Sequence, residues 1–293
     1  DTEFLNDLFD RADRIKKGDV RRSLEGKVVA LLFYEPSTRT RLSFDLAANL
    51  LGAHVFNTEN ARDFSSAVKG ESIEDTVRVV GDHVNIMVIR YYEEGGADAA
   101  SKVSRVPIIN AGDGAGQHPT QALLDVYTIQ EHFKRLDNLN VAMVGDLKRG
   151  RTVRSLAYLL SRFKGNKLWF VSAEESRMKM DILEHLRQNE THYVETDELD
   201  EIRGKVDVIY MTRTQKERMG EKDAANNGPK LILTPADLRG IQRDFIIMHP
   251  LPRVDEIHRD VDDFKQAKYF EQSRNGIYVR AALLEMIAEY NFK

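Results

Sequence analysis

Short apolar stretches alternate with amphipathic stretches over the whole length of the chain. The stretch from Lys27 to Phe33 is almost continuously apolar and contains β-branched residues, as is typical of a strand buried in a parallel sheet. Similar patterns predict strands over 27–33, 53–57, 85–89, 107–110, 140–144, 168–172, 206–211 and 245–248. Helical periodicity predicts helices over 3–17, 41–51, 71–81, 119–134, 151–163, 176–188 and 276–290.

This alternation determines the predicted fold class. Strands and helices in strict alternation indicate βαβ units, and therefore parallel sheets covered by helices on both faces. The 293 residues are enough for two domains of roughly 140 residues each. We predict an α/β protein with two doubly wound parallel-sheet domains, residues 1–134 and 135–275. We expect the final helix, within 276–293, to pack back on the first domain.

The predicted helix 41–51 carries an apolar stripe. Leu42, Leu46 and Leu50 recur four residues apart, and Gly52 follows where a helix commonly ends. Phe44, Ala47 and Leu51 widen the stripe. An amphipathic helix turns such a stripe towards the core.

Residues 37–41 read Ser-Thr-Arg-Thr-Arg and connect the first predicted strand to this helix. The start of a helix favours an anion because its N–H groups and dipole are positively polarised there. Three hydroxyls and two guanidiniums add donors suited to a phosphate. The alternative is an ordinary Ser or Thr helix cap beside surface arginines, although capping requires only one hydroxyl.

Other polar residues cluster directly after predicted strands. They are Arg90, the stretch from Gly112 to Gln121, Lys148 to Arg151, Arg213 with Gln215, and His249 to Arg253. Ligands of open parallel sheets bind outside the carboxyl ends of the strands. We therefore expect these loops to converge on one cleft, which indicates an enzyme.

His118 precedes Pro119, a residue suited to the first position of a helix. The positive end of the helix dipole keeps an imidazole neutral, so that its N–H can bind a carbonyl oxygen on which charge develops. A capping or purely structural histidine is the alternative. The glycines at 112, 114 and 116 favour the catalytic interpretation, because they permit tight turns and a close backbone approach.

The segment from Gly145 to Arg151 follows another predicted strand. Its glycine spacing matches neither a dinucleotide-binding loop nor a Walker A loop, which disfavours a dehydrogenase or a nucleotide site. Arg151 at a helix start suits a carboxylate instead. Arg213 and Gln215 lie on one side of an extended segment and suit a second carboxylate, although a solvated charged loop explains them equally well.

Two prolines flank Leu251 in the segment His249-Pro250-Leu251-Pro252-Arg253. Such a rigid backbone can present its carbonyls to an amine, whereas the alternative is a simple end to the strand. We expect a cis Leu251–Pro252 bond, since only bonds to proline adopt cis at low cost. Lys69, beside Gly70, is either a mobile cationic lid or an ordinary surface lysine.

The composition narrows the class of protein. Hydrophobic residues make up 42% and charged residues 31%, with a net charge of −4, which argues against a general nucleic-acid or membrane surface. Cysteine is absent, which excludes disulfides, thiolate nucleophiles and cysteine-based zinc sites and fits a reducing compartment. The sequence does not begin with Met, and we expect a leading segment to precede it.

The chain resembles the aspartate/ornithine transcarbamoylase family over essentially its full length. The motifs that carry the resemblance are Phe33-Tyr34-Glu35-Pro36-Ser37-Thr38-Arg39-Thr40-Arg41, Lys69-Gly70-Glu71, His118-Pro119-Thr120-Gln121, Gly145-Asp146-Leu147-Lys148, Arg213-Thr214-Gln215 and His249-Pro250-Leu251-Pro252-Arg253. Ornithine enzymes typically carry His-Pro-Cys-Gln in place of the motif at 118–121 and a His-Cys-Leu-Pro segment in place of the motif at 249–252, and this chain has no cysteine. The resemblance is therefore to the aspartate branch.

The resemblance implies a transferase with its active site in the cleft between two domains. Its reaction would be carbamoyl transfer from carbamoyl phosphate to the amine of L-aspartate, giving N-carbamoyl-L-aspartate and phosphate, early in pyrimidine biosynthesis. It also implies a cytoplasmic homotrimer with shared sites, no metal, no organic cofactor, no nucleic acid and no membrane. Regulatory or other pathway subunits are left open, as is any larger assembly.

The resemblance also assigns roles to individual residues. The phosphate would be held by Ser37, Thr38, Arg39, Thr40 and Arg90. The carbamoyl group would be bound by Arg39, Thr40, His118, Gln121 and the carbonyls of Leu251 and Pro252. Aspartate would be bound by Lys69, Arg151, Arg213 and Gln215. Ser65 and Lys69 would come from the neighbouring subunit.

Two rival functions remain. A transcarbamoylase for a cationic amine such as ornithine would need a carboxylate where Arg213 and Gln215 stand. A non-catalytic protein that kept the fold would be expected to lose cations from the phosphate loop, and here all are present.

Overall fold

The structure is a computed structural model that describes residues 2–214 and 231–292. Its β-strands are β1 (Val28–Phe33), β2 (His54–Thr58), β3 (Ile86–Tyr91), β4 (Ile108–Asp113), β5 (Asn140–Val144), β6 (Lys167–Val171), β7 (His192–Thr196), β8 (Val208–Met211) and β9 (Ile246–Met248). Its α-helices are α1 (Thr2–Lys16), α2 (Thr38–Leu50), α3 (Ala61–Phe64), α4 (Ile73–Gly81), α5 (Gly96–Val103), α6 (Pro119–Phe133), α7 (Arg151–Leu160), α8 (Met180–Gln188), α9 (Pro235–Leu238) and α10 (Tyr269–Asn291).

The strands form two parallel sheets, as the alternation of strands and helices predicts. One sheet has the order β2-β1-β3-β4, and the other has the order β7-β6-β5-β8-β9. The strand order reverses between β1 and β3 in the first sheet and between β5 and β8 in the second. In open parallel sheets a crevice for ligands forms at such a reversal, outside the carboxyl ends of the strands.

The chain divides into two compact units, and each contains one sheet. The first comprises residues 1–127 with 274–293, and the second comprises residues 128–273. Apolar side chains of β1 and β3 form the core of the first unit together with residues of α4 and α5, whereas those of β5, β8 and β9 contribute to the core of the second. No helix in the described part of the chain is long and apolar enough to cross a membrane.

Every predicted strand is present with boundaries shifted by a few residues, and two shifts change the local interpretation. β3 extends to Tyr91, so that Arg90 lies within the strand and pairs in register with Phe33, and does not follow the strand as predicted. β4 extends to Asp113 and includes Gly112, which was expected in the loop. Both strands continue past the apolar run because a neighbouring strand supplies partners for their backbone groups.

The predicted helix 41–51 differs from α2 in two ways. α2 begins at Thr38, so the second to fifth residues of the motif at 37–41 form its first turn and are not a loop. The predicted apolar stripe is also buried only in part. Phe44, Ala47 and Leu51 are buried, but Leu42, Leu46 and Leu50 are 54%, 43% and 41% exposed. The buried face carries smaller side chains and Phe44, and the end of the helix is as predicted, with Gly52 in the left-handed region (φ 86°).

The apolar pattern missed β7 and α5, and also the four-residue helices α3 and α9, which are too short to show a helical period. β7 is an edge strand whose side chains are only partly buried, so its sequence, His-Tyr-Val-Glu-Thr, lacks an apolar run. α5 is built mainly from glycine, alanine and polar residues, which give no strong helical periodicity. Both elements are defined by backbone pairing or close packing rather than by large apolar side chains.

α10 begins at Tyr269, several residues before the predicted start of the final helix at 276. Gly276 caused this error, because glycine usually indicates a helix end rather than a helix interior. Here a Cβ on Gly276 would lie 2.5 Å from Nη1 of Arg280 and 3.2 Å from Leu124. The glycine therefore allows Arg280 to pack against the helix, at a position where a larger residue would not fit.

We predict that Gly145→Ala destabilises the second unit. Gly145 has φ 119°, and a Cβ there would lie 2.3 Å from the carbonyl oxygen of Thr212. Unfavourable φ and overpacking each cost about 1–3 kcal/mol, so we expect the free energy of unfolding to fall by about 2–4 kcal/mol. Trp169 is the only tryptophan of the chain and lies on neighbouring β6, so its fluorescence during urea unfolding reports this unit.

The matched control is Gly204→Ala in the same unit. Gly204 also has a positive φ, 68°, but no described atom lies within 4 Å of its added Cβ. In this variant the free energy of unfolding should fall only by the cost of the unfavourable φ, about 1–2 kcal/mol. An equal loss in both variants would contradict the packing argument.

Candidate active site

Ser37 lies at the start of α2, directly beyond β1, but it does not act as an ordinary helix cap. Its side chain makes no capping bond to the described first turn of the helix. Its hydroxyl accepts a hydrogen bond of 3.1 Å from Nη1 of Arg90. Arg90 also donates through Nε to Glu35 at 3.2 Å. The capping alternative is thus wrong for this hydroxyl, and β1 and β3 bring Ser37 and Arg90 together.

The first turn of α2 presents further donors at the same strand end. Arg39 and Thr38 are exposed, whereas Thr40 is buried. The N–H groups of a first helical turn and the helix dipole add a positive potential here. The guanidinium of Arg41, one residue further along α2, forms an ion pair with Glu59 at 2.8 Å. The arrangement suits an anion with several acceptor oxygens.

His118 is buried immediately before Pro119, which is the first residue of α6 as predicted. The preceding glycine turn is organised by Asp113, which sequence reasoning missed. Its two carboxylate oxygens accept the N–H groups of Gly95 and Gln117 at 3.0 Å each. The carboxylate therefore fixes the turn from which His118 enters the helix.

Gln121 has a fixed side-chain amide. Its Nε2 donates to Oδ1 of Asp125 at 2.9 Å, and Asp125 is fully buried one helical turn later on α6. A carboxylate only accepts hydrogen bonds, so the amide nitrogen must face Asp125. The carbonyl oxygen of Gln121 is thereby directed to the other side, where it can accept a bond from an –NH₂ group.

Arg280 of α10 connects the two helix starts that carry these residues. It donates to Ser43 of α2 at 2.9 Å and to Thr120 of α6 at 3.4 Å. Burial lowers its pKa to about 10, an effect that the nearby Asp125 carboxylate partly offsets. Arg280 and Asp125 were not predicted as residues that support the site. The signal that could have identified them is a charged residue among apolar neighbours in a predicted helix.

In the second unit, Arg151 is buried as the first residue of α7, as predicted. The turn that leads to it is held by Asp146, whose Oδ1 accepts the N–H of Arg149 at 3.2 Å and lies 3.6 Å from the guanidinium of Arg149. The neighbouring Lys148 is exposed. This turn therefore places a buried arginine at a helix start, beyond the carboxyl end of β5.

Arg213 follows β8 by two residues and is half-buried. Its Nη1 donates to the carbonyl oxygen of Thr214 at 3.2 Å. Because β8 pairs with β5, the strands that lead to Arg151 and Arg213 are neighbours in the sheet. Gln215, the predicted partner of Arg213, lies outside the described residues.

The segment after β9 has the predicted cis bond between Leu251 and Pro252. Arg253 anchors the end of this segment, because its guanidinium donates to both oxygens of Asp262 at 2.5 Å. These hydrogen bonds hold the pKa of Asp262 below its ordinary value. Leu251 is half-buried and Pro252 is exposed, so their backbone lies near the surface of the unit.

Ser65 caps the start, and Lys69 forms the end, of a short 3₁₀ segment of the first unit, Ser66–Lys69. Ser65 accepts the N–H of Ala67 and donates to the carbonyl oxygen of Ala61, so its hydroxyl stabilises the local turn. Lys69 is exposed at the end of the segment, before Gly70 at φ 89°. Within the described residues of the single chain, no hydrogen bond connects Ser65 or Lys69 to Ser37 or Arg90.

The candidate residues thus lie at or beyond the carboxyl ends of the strands on either side of each reversal in strand order. Ser37 follows β1 and Arg90 lies near the end of β3, whereas Arg151 and Arg213 follow β5 and β8. Within the described residues, no group of three or more metal-ligating side chains comes together. Each unit therefore presents cations and polar groups at the expected ligand crevice of its own sheet.

Both parts of the chain match sequence models of one family. Residues 1–131 match the carbamoyl-phosphate-binding domain of aspartate/ornithine carbamoyltransferase. Residues 137–287 match the aspartate/ornithine-binding domain of the same family.

Individual relatives agree with this match. Aspartate carbamoyltransferase of Arabidopsis thaliana, described as chloroplastic, is 50% identical, over 98% of this chain and 75% of its own. The catalytic subunit from Methanocella arvoryzae is 49% identical, over 96% of this chain and 92% of its own.

Solved structures agree as well. The catalytic subunit of aspartate transcarbamoylase from Methanocaldococcus jannaschii superposes with a TM-score of 0.89 at 46% identity, covering 99% of this chain and 95% of that one. The Trypanosoma cruzi enzyme in complex with carbamoyl phosphate and aspartate gives a TM-score of 0.90 at 37% identity, covering 96% and 92%.

Proposed function

The chain belongs to the aspartate/ornithine carbamoyltransferase family, and we propose that the residues described above carry out its reaction. The chain is a transferase that moves the carbamoyl group of carbamoyl phosphate to the amine of L-aspartate. The products are N-carbamoyl-L-aspartate and phosphate, and we place the reaction early in pyrimidine biosynthesis. The observation that carries the residue assignment is the clustering of cations at the reversal in strand order of each sheet.

The phosphate of carbamoyl phosphate is bound at the start of α2. Arg39 and Arg90 supply charge, while the helix N-terminus and the hydroxyls of Ser37, Thr38 and Thr40 supply further donors. The Ser37–Arg90 contact supports this assignment, because it directs the guanidinium to the same helix end. Glu35 holds Arg90 in place from the opposite side.

The carbamoyl group is bound at the start of α6. His118, Arg39 and Thr40 polarise its oxygen, and the carbonyl oxygen of Gln121 accepts a bond from its –NH₂ group. The Gln121–Asp125 hydrogen bond supports this role, because it fixes which end of the amide is available. Donors placed where negative charge develops in the transition state are among the largest contributions to catalysis.

Aspartate is bound by cations of the second unit and by Lys69. Arg151 and Arg213, with Gln215, pair with its two carboxylates. The backbone carbonyls of Leu251 and Pro252 accept bonds from the amine and the carbamoyl nitrogen. A second carboxylate is what distinguishes aspartate from ornithine, whose side-chain ammonium would be repelled by these arginines.

The transfer itself requires no protein nucleophile. The amine of aspartate attacks the carbonyl carbon, the oxyanion is stabilised by the donors above, and the C–O bond to phosphate then breaks. The leaving phosphate accepts the proton of the amine. Catalysis therefore consists of positioning two substrates and stabilising one developing charge.

We propose that the chain forms a homotrimer in which Ser65 and Lys69 enter the site of the neighbouring subunit. Support comes from large apolar side chains that are exposed on the first unit, namely the leucines of α2, Phe56 on β2 and Phe64 on α3. Phe64 is 82% exposed, and β2 is an edge strand with an unpaired side. Exposed apolar side chains on neighbouring elements of this kind are typical of a protein interface.

Cytoplasmic location remains a prediction. The Arabidopsis thaliana and Pisum sativum relatives are chloroplastic by name.

The proposal is tested by assaying purified chain with carbamoyl phosphate and either aspartate or ornithine. We expect carbamoyl-aspartate and no carbamoyl-ornithine. Arg39→Ala should lower kcat by on the order of 10²–10³, because one preorganised donor to the oxyanion and the phosphate is lost. Arg105→Ala, which removes an exposed arginine paired with Asp82 at 2.9 Å, is the matched control and should keep full activity. Full activity in a folded Arg39→Ala variant would remove Arg39 from the mechanism.

We further predict that two inactive variants complement each other. Lys69→Ala and His118→Ala should each be nearly inactive alone. After dissociation and mixing, trimers that contain both should regain sites with neither lesion, since Lys69 comes from one subunit and His118 from the next. Each variant taken through the same procedure by itself is the control. Mixed trimers with no more activity than their parents would contradict shared sites.

A further inference from the structure

The segment from His249 to Glu256 folds around two of its own side chains. His249 and Glu256 are both buried, at 1% and 7% exposed. Leu251, between them, has φ 52°, in the left-handed region that a branched residue rarely adopts. A conformation of this kind persists only where contacts with the surrounding residues hold it.

The imidazole of His249 contacts the backbone of Leu251 directly. The N–H of Leu251 donates to Nδ1 of His249 at 2.7 Å. On the other side of the ring, Nε2 lies 2.7 Å from Oε1 of Glu256. Since Nδ1 accepts a hydrogen bond, it carries no proton, and the ring proton is therefore on Nε2.

The hydrogen bonds of Glu256 also indicate that the ring proton of His249 is on Nε2. Its second oxygen accepts the N–H groups of Val254 and Asp255 at 3.1 Å each. Burial alone would raise the pKa of Glu256, but the hydrogen bonds from His249 and the backbone outweigh it and lower that pKa. An ionised carboxylate can only accept, so Nε2 of His249 must be the donor. The ring is thus neutral and has one fixed orientation.

We propose that His249 is a positioning residue for carbamoyl transfer, which holds the N–H of Leu251 through Nδ1 and so directs the carbonyls of Leu251 and Pro252 to the substrate nitrogens. The proposal rests on the proposed function, which gives these two carbonyls that role. Glu256 fixes the tautomer of the ring. The main-chain N–H of His249, bound to Gln272 at 2.8 Å, fixes its backbone.

Two amide substitutions separate the functions of the two ring nitrogens. In His249→Asn the amide oxygen can occupy the place of Nδ1 and accept the N–H of Leu251, but the contact with Glu256 is lost. In His249→Gln the amide nitrogen can occupy the place of Nε2 and donate to Glu256, but Leu251 loses its acceptor. Both variants remove the same ring, so a purely structural role for His249 predicts similar losses of stability and activity.

We expect the glutamine variant to lose on the order of 10² in kcat/KM for aspartate, since displacement of a positioning group by about 1 Å has this effect. The asparagine variant should lose at least tenfold less, although thermal unfolding shows similar stability for both. Binding of inorganic phosphate, measured by calorimetry, should be the same in both variants and in the wild type. An asparagine variant as impaired as the glutamine variant, or a glutamine variant with wild-type kcat/KM, would overturn the proposal.

A measurement on the unaltered chain tests the proposal even if the variants do not fold. A neutron structure shows the ring deuterons directly, and we expect one on Nε2 of His249 and none on Nδ1. A deuteron on Nδ1 would overturn the proposal. The wild-type assay separates a failure of the proposed function from a failure of the role of His249. A wild type that does not carbamoylate aspartate refutes the proposed function, whereas an active wild type without the difference between variants refutes only the role of His249.

Discussion

The geometry of a parallel sheet controls where this chain can place its chemistry. All strands of such a sheet end at the same edge, and the backbone diverges only where the order of the strands reverses. In this chain β1 and β3 flank one reversal, and β5 and β8 flank the other. Ser37, Arg90, Arg151 and Arg213 all lie at or beyond the carboxyl ends of these four strands. The positions of the proposed anion-binding residues therefore depend first on the order of the strands and only then on individual side-chain contacts.

A cluster of cations needs counter-charges that orient it without neutralising the whole site. Glu35 accepts a hydrogen bond from Nε of Arg90, while Nη1 of the same guanidinium donates to Ser37. Behind the site, the buried Asp125 fixes Gln121, and Arg280 connects α2 to α6. The second unit uses the same device, with Asp146 holding the turn before Arg151. Rigid support of this kind is what the proposed mechanism needs, since it relies on positioning the substrates and on donors that are already oriented towards the developing charge.

The sequence predicted the sheets and the exposed ends of the strands, because apolar runs and the residues that follow them are local patterns. The residues that support the site were not predicted. Asp113, Asp125 and Arg280 act through partners that are distant along the chain or one helical turn away, and their neighbours suggested only buried helices or loops. The leucine stripe of α2 was misjudged for a related reason. The spacing of leucines every four residues does not show which side of the helix faces the core, and in α2 the core side is formed by Phe44 and small residues.

The most direct test of the account is a crystal structure of the chain with a molecule that joins a phosphonate to aspartate. The account predicts that the phosphonate oxygens lie within hydrogen-bond distance of Arg39, Arg90 and the start of α2. It predicts that the two carboxylates of the same molecule contact Arg151 and Arg213. A phosphonate bound away from α2, or carboxylates that contact neither arginine, would contradict it.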